Sequence, residues 1–242
     1  MGDVLSEDVF AAIQSMECSD TDVFVASYPK SGTTWMQHIV GSLVCEESTA
    51  GHVSDVSPWF EIASHWSEGA LIPSITHRHA ALGRRVFNTH LYYEMMPQGP
   101  WKAIYVCRDG RDVATSFFHH LSNQARQDGT GCVFEGSFAE FHRQWAAGEL
   151  FYGAWAPHLK SWDAAAGDPR VLFLRYEDMV SDLRPCVDAV VKHLNLPISP
   201  EKVSELMPTF SVQYMKANKE RFQPISVTWK EGYEFVRKGV VG

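Results

Sequence analysis

The chain has 242 residues, 45% of them hydrophobic and 21% charged, and 21 basic against 29 acidic side chains give a formal net charge of −8. That composition supports a packed core and excludes a disordered or coiled-coil chain. The acidic balance argues against nucleic acid or an anionic membrane held by bulk charge, so any anion bound here needs a local cationic site.

In chain order, the opening MGDVLSEDVFAAIQ lacks the charged-then-apolar pattern of a signal peptide. No apolar run approaches the ~18 residues of a membrane span. The apolar run Val23–Ser27 reads as a buried strand, followed by the turn YPKSG and a helix over Thr33–Cys45 with Trp35, Ile39 and Leu43 on one stripe. A weaker strand, Arg85–Asn88, precedes THLYY, and a stronger one, Lys102–Cys107, precedes RDGRD. The helix predicted next, Asp109–Leu121, carries Val113, Phe117 and Leu121 on one face, and Phe138–Leu150 reads as another. The strand Val171–Leu174 ends in RYED, with a helix over Met179–Leu194 behind it. Beyond Met207 mostly loop is expected. Buried strands alternating with helices predict an α/β fold, one domain over 1–242 with a central parallel sheet flanked by helices. In such sheets ligands sit beyond the carboxyl ends of the strands, where all four turns fall. Five scattered cysteines, Cys18, Cys45, Cys107, Cys132 and Cys186, form no C-x-x-C pair, so no metal site is expected and a cytoplasmic location is the simpler reading.

The first turn carries the clearest chemistry. A helix start offers unpaired N–H groups and the positive end of its dipole. Gly32 allows close backbone approach, Ser31, Thr33 and Thr34 add hydroxyls, and Lys30 adds charge. Together they describe a phosphate cradle. The spacing is like G-x-x-x-x-G-K-[ST], with Ser27 at the first glycine and Thr33 at the lysine position; the lysine has moved inside the loop.

YPKSGTTW (28–35) resembles the signature of the cytosolic sulfotransferases, which use 3′-phosphoadenosine 5′-phosphosulfate. YVCRDGRDVATSFFHH (105–120) resembles that family's 3′-phosphate-binding strand–turn–helix, LRYEDM (174–179) its adenine-side segment, and RKGVVG (237–242) the start of its C-terminal phosphate loop. The resemblance implies a P-loop, nucleotide-kinase-like α/β domain, with the C-terminal loop cut short after 242. It implies Lys30 at the leaving 5′-phosphate, with Ser31, Gly32, Thr33 and Thr34 cradling that phosphate. Arg108 and Ser116 would hold the 3′-phosphate, Arg237, Lys238 and Gly239 would close over it, and Trp35, Tyr176, Ser211 and Val212 would flank adenine. His90, in NTHLYY, would be the general base, a role suited to an imidazole. Asn88 stands where the family usually has lysine and is expected to donate to a sulfonate oxygen; Tyr92 stands in place of a common proline. Lys30, His90, Asn88 and Ser116 are therefore the expected catalytic set.

His119 and His120, at a helix end, read as capping or surface groups, while His65, His77 and His79 fall near the acceptor region. Trp59, Phe60, Trp66, Tyr92, Tyr93, Phe134 and Phe138 are candidate walls for a small-molecule acceptor, an aromatic or amphipathic alcohol or phenol, and Glu61, Glu68 and Glu94 leave room for an amine. Oligomeric state stays open. The alternatives are a small-molecule or nucleotide kinase on the same cradle, or a catalytically impaired nucleotide-binding protein.

Overall fold

The structure, a computed structural model, describes residues 5–45, 51–237, 239 and 241–242. Its elements in chain order are α1 (Glu7–Ser15), β1 (Val23–Ser27), α2 (Thr33–Val44), α3 (Val53–Val56), β2 (Trp66–Ser67), β3 (Ala70–Leu71), α4 (Pro73–Ala81), β4 (Val86–Thr89), β5 (Lys102–Cys107) and α5 (Gly110–Leu121). There follow α6 (Phe138–Ala147), α7 (Trp155–Asp163), β6 (Val171–Arg175), α8 (Tyr176–Ser181), α9 (Leu183–Leu194), α10 (Pro200–Leu206) and α11 (Val212–Ala217).

Four strands form one parallel sheet in the order β4-β1-β5-β6. β1 lies between β4 and β5, with Val23 in register with both Val86 and Lys102. Its five residues are all buried, which explains its continuous apolar run. Alternate side chains serve opposite faces. Val23, Val25, Ile104 and Val106 pack with α2, α8 and α9, while Phe24, Ala26, Ala103 and Tyr105 pack with α1, Phe60, Phe87 and Trp162. The chain at 58–60 extends the sheet edge beside β4: the Asn88 N–H donates to the Pro58 carbonyl at 3.0 Å, and the Phe60 N–H to the Asn88 carbonyl at 2.8 Å.

Four features differ from the sequence reading. β4 begins at Val86, because the Arg85 side chain turns back to Asp22, with Nε 2.6 Å from Oδ1. The single helix expected over Met179–Leu194 is two, broken where Asp182 leaves helical geometry (φ −151°, ψ 100°) and its carboxylate caps the Arg184 N–H. The stretch after Met207 is not all loop: a 3₁₀ turn (Met207–Phe210) leads into α11. Helix α6 stops at Ala147, three residues short of the expected end, because Gly148 takes a left-handed turn (φ 74°). No helix among the described residues is long and apolar enough to cross a membrane.

Candidate active site

The carboxyl ends of β1, β4, β5 and β6 open onto one cleft of about 1110 Å³. Each strand delivers one group to it. β1 runs into the turn of Pro29, Lys30 and Gly32; β4 into His90; β5 into Arg108; β6 into Tyr176.

The turn between β1 and α2 is held by a 2.5 Å hydroxyl contact between Ser27 and Thr33. Gly32, at φ 105°, opens α2, and no side chain caps the helix there. A Cβ at Gly32 would stand 2.8 Å from Cδ2 of Tyr176, so only glycine lets the turn close against that ring. Lys30 also has positive φ, 69°, an uncommon state for a side-chain-bearing residue. The Ser31 hydroxyl is 1% exposed and has no partner among the described residues. Buried hydroxyls are ordinarily bonded, so Ser31 is an exception, and it does not itself line the cleft. Thr34 and Trp35 line the cleft beside it; the Trp35 Nε1–H donates to the Phe210 carbonyl at 2.7 Å, and its ring meets Tyr176 edge-on.

Arg108 lies over the Tyr176 ring, its guanidinium carbon 4.2 Å from the centroid. One nitrogen donates to the Lys30 carbonyl at 3.2 Å, another meets Asp112 at 3.3 Å, and Nε is buried without a partner. Arg111, by contrast, pairs with Asp109 in the open. Ser116 faces the cleft two turns into α5, and Arg237 and Gly239 border it from the C-terminal segment. A Cβ at Gly239 would stand 2.7 Å from the Val212 methyls, so this glycine lets the segment lie down on α11. Lys238 lies outside the described residues. Val212 lines the cleft, but Ser211 does not: its hydroxyl caps α11, accepting from the Tyr214 N–H at 3.1 Å and donating to the Pro208 carbonyl.

His90 is gripped at three points. Nδ1 lies 2.8 Å from the Ser27 carbonyl, which can only accept, so Nδ1 carries the proton and Nε2 keeps its lone pair. The His90 N–H donates to Glu61 at 2.7 Å. Its carbonyl accepts from Nε2 of the buried His158, whose Nδ1 in turn accepts from the Tyr105 hydroxyl, both at 3.1 Å. Trp59 and Tyr152 stand edge-on to the imidazole at 6.0 and 5.3 Å between centroids. Burial, and then the charge of Lys30, lower the His90 pKa from its usual 6.5 to about 4. Asn88, in β4, borders the cleft with its Nδ2 donating to the Ser57 carbonyl at 2.9 Å.

Lys30 turns toward α5. Its ammonium is 3.2 Å from Nδ1 of His120 and 4.0 Å above the Phe235 ring centre. Burial lowers its pKa to about 7, with further lowering from Arg108 and Arg237. His120 is thus neither a cap nor a surface group, as its place at the end of a helix suggested. One turn beyond Ser116 on the same face, it lines the cleft, and the i, i+4 spacing from Ser116 was the sequence signal for it.

The acceptor side also departs from expectation. Of the aromatic residues expected there, Trp59 lines the cleft, whereas Phe60 and Trp66 are core. Tyr93 bonds Asp168, and Phe134 and Phe138 pack on α5 and α6. The walls are instead Ile62, Phe117, Val133, Phe151, Tyr152 and Phe235. His65 borders the cleft, while His79 is buried against Val56. None of the three acidic residues faces an amine site: Glu61 is spent on His90, Glu94 on Ser161, and Glu68 sits in the β2–β3 turn.

A nucleotide-type anion cradle and a clamped imidazole in one cleft of a parallel α/β sheet define a group-transfer enzyme. The sulfotransferase domain family matches residues 20–242. Sulfotransferase 1E1 of Homo sapiens is 32% identical over 241 residues, covering 95% of this chain and 79% of that protein. Among solved structures, mouse sulfotransferase SULT7A1 complexed with PAP superposes with a TM-score of 0.74 at 27% identity, over 99% of this chain and 83% of that one. Retinol dehydratase in a complex with retinol and PAP gives 0.75 at 25% identity, over 99% and 80%. The chain belongs to the sulfotransferase family.

Proposed function

We propose that this protein moves a sulfuryl group from 3′-phosphoadenosine 5′-phosphosulfate to the hydroxyl of a small, largely apolar acceptor, with His90 as general base. The observation that carries the reading is one cleft with two chemistries: uncapped helix N–H groups and three cations on one side, and the free Nε2 of His90 on the other.

These residues fit a nucleotide with phosphates at both ends. The α2 start, Ser31, Thr33, Thr34 and Lys30 suit the 5′ end. Arg108, with its unpartnered Nε, suits the 3′-phosphate together with Ser116, Arg237, Gly239 and, from the sequence, Lys238. Trp35, Tyr176 and Val212 suit adenine, while Ser211 contributes by fixing the start of α11. Bound there, the co-substrate supplies an activated sulfuryl group on a good leaving phosphate. Nε2 of His90 takes the proton of the acceptor hydroxyl. Lys30 meets negative charge growing on the leaving oxygen, and Asn88 offers its second amide hydrogen to a sulfonate oxygen. The apolar walls exclude water from the imidazole. Retinol, carried by one structural neighbour, is an alcohol of the class proposed here, which supports the reading.

The test is sulfuryl transfer to a panel of phenols and alcohols in the presence of a chelator, with pH varied. His90 must be neutral, so activity is lost as pH falls through its pKa; Lys30 must be cationic, so activity is lost as pH rises through its own. For kcat/KM of the nucleotide, which reports the free enzyme, the limbs are expected near 4 and near 7. Nucleotide phosphates beside Lys30 raise its pKa, so the alkaline limb of kcat should lie higher. No transfer to any acceptor, or magnesium-dependent phosphoryl transfer from ATP instead, would overturn the proposal.

A further inference from the structure

Among the described residues the Lys30 ammonium meets one polar side chain, His120, and one ring, Phe235. As an ammonium Nζ can only donate, so toward the charged lysine Nδ1 of His120 accepts at 3.2 Å and the ring proton sits on Nε2. The imidazole is boxed by Trp229, Phe235 and Phe117, with ring centroids at 4.9, 6.0 and 6.2 Å. An apolar box around one polar atom fixes that atom's direction. Among the described residues, the other charged or titratable groups facing Lys30 oppose its charge or leave it unchanged: Arg108 at the end of β5, Arg237 from the C-terminal segment, and the His90 ring after β4. Asp112, the acid on α5, is taken by Arg108. His120 itself is kept neutral, its pKa pushed well below 6.5 by burial and then by Lys30 and His90.

We propose that His120 is a positioning residue for the transfer, a neutral imidazole whose Nδ1 holds the Lys30 ammonium in place and in its charged form at the mouth of the phosphate cradle. The proposal rests on the role given to Lys30 above, but its test needs neither donor nor acceptor. A hydrogen bond to the ammonium favours the protonated lysine, so losing it lowers the lysine pKa. The aromatic box accepts phenylalanine, and asparagine can place a carbonyl oxygen near the position of Nδ1.

The experiment is competitive labelling of Lys30 with acetic anhydride across pH, read by peptide mass spectrometry, in the full chain and in His120→Phe and His120→Asn. The expected result is a Lys30 midpoint lowered by about one pH unit in His120→Phe and restored toward the parent value in His120→Asn. His120→Leu serves in place of the phenylalanine variant should that variant not fold. An unchanged Lys30 midpoint in the apolar variant, or a shift that asparagine does not reverse, overturns the assignment. Because labelling is independent of turnover, a chain that failed to transfer sulfuryl groups would defeat the proposed function and leave this result to stand on its own.

Discussion

Replacing His90 with alanine is expected to lower sulfuryl transfer by ~10²–10⁴-fold, the usual worth of a positioned proton acceptor, while nucleotide affinity is retained. The substitution is unusually clean. Two of the three contacts that hold residue 90 are made by its backbone, the N–H to Glu61 and the carbonyl to His158, and both survive in alanine. Only the Nδ1 bond to the Ser27 carbonyl is lost with the ring, a stability cost of about 1 kcal/mol. The phosphate cradle loses that one bond at the Ser27 carbonyl but keeps the Ser27–Thr33 contact that closes its turn. Single-turnover transfer, measured beside a nucleotide titration, separates the two effects. Turnover within a few-fold of the parent protein would remove His90 as base.

Gly32→Ala should instead abolish the cradle. At φ 105° a side-chain-bearing residue is strained, and the new methyl would stand 2.8 Å from Tyr176. Strain of this kind costs about 1–3 kcal/mol. Tyr176 cannot step aside freely, because its other neighbours are the Arg108 guanidinium and the Trp35 ring. The clash is thus passed to the groups assigned to the 3′-phosphate and to adenine. We expect nucleotide affinity to fall by roughly ten- to a hundredfold, 1.4 kcal/mol being a factor of ten, with the fold retained. Calorimetric titration checks it. Unchanged affinity would mean that the nucleotide does not approach this turn.

Much of the scaffold was legible because β1 and β5 are buried on both faces and so read as unbroken apolar runs between turns. The boundary errors come from side chains that act outside their own element: Arg85 reaching Asp22, and Asp182 capping the next helix. Helices α1, α3, α4, α7, α10 and α11 were not foreseen. Of these, α7 carries a proline in its first turn and buries only His158 and Trp162, so its apolar stripe is thin. The cradle could be read because all of its groups are contiguous in sequence. The environment of Lys30 could not, since His120 and Phe235 arrive from 90 and more residues away. Composition likewise flagged the aromatic residues of 59–66 without telling which face each would take; Trp59 turned to the cleft while Phe60 and Trp66 entered the core. Glu61, taken for an acceptor-side charge, is instead buried against the backbone of His90, and burial raises its pKa.

The most direct measurement is a calorimetric comparison of adenosine 3′,5′-bisphosphate with AMP, in the parent protein and in Arg108→Ala. Hydrogen bonds to a charged group are worth about 1.5–3 kcal/mol, so the parent should prefer the bisphosphate by roughly ten- to a hundredfold, and the variant should lose most of that preference. Equal affinity for the two nucleotides in the parent protein would contradict the assignment of Arg108 and its neighbours to a 3′-phosphate.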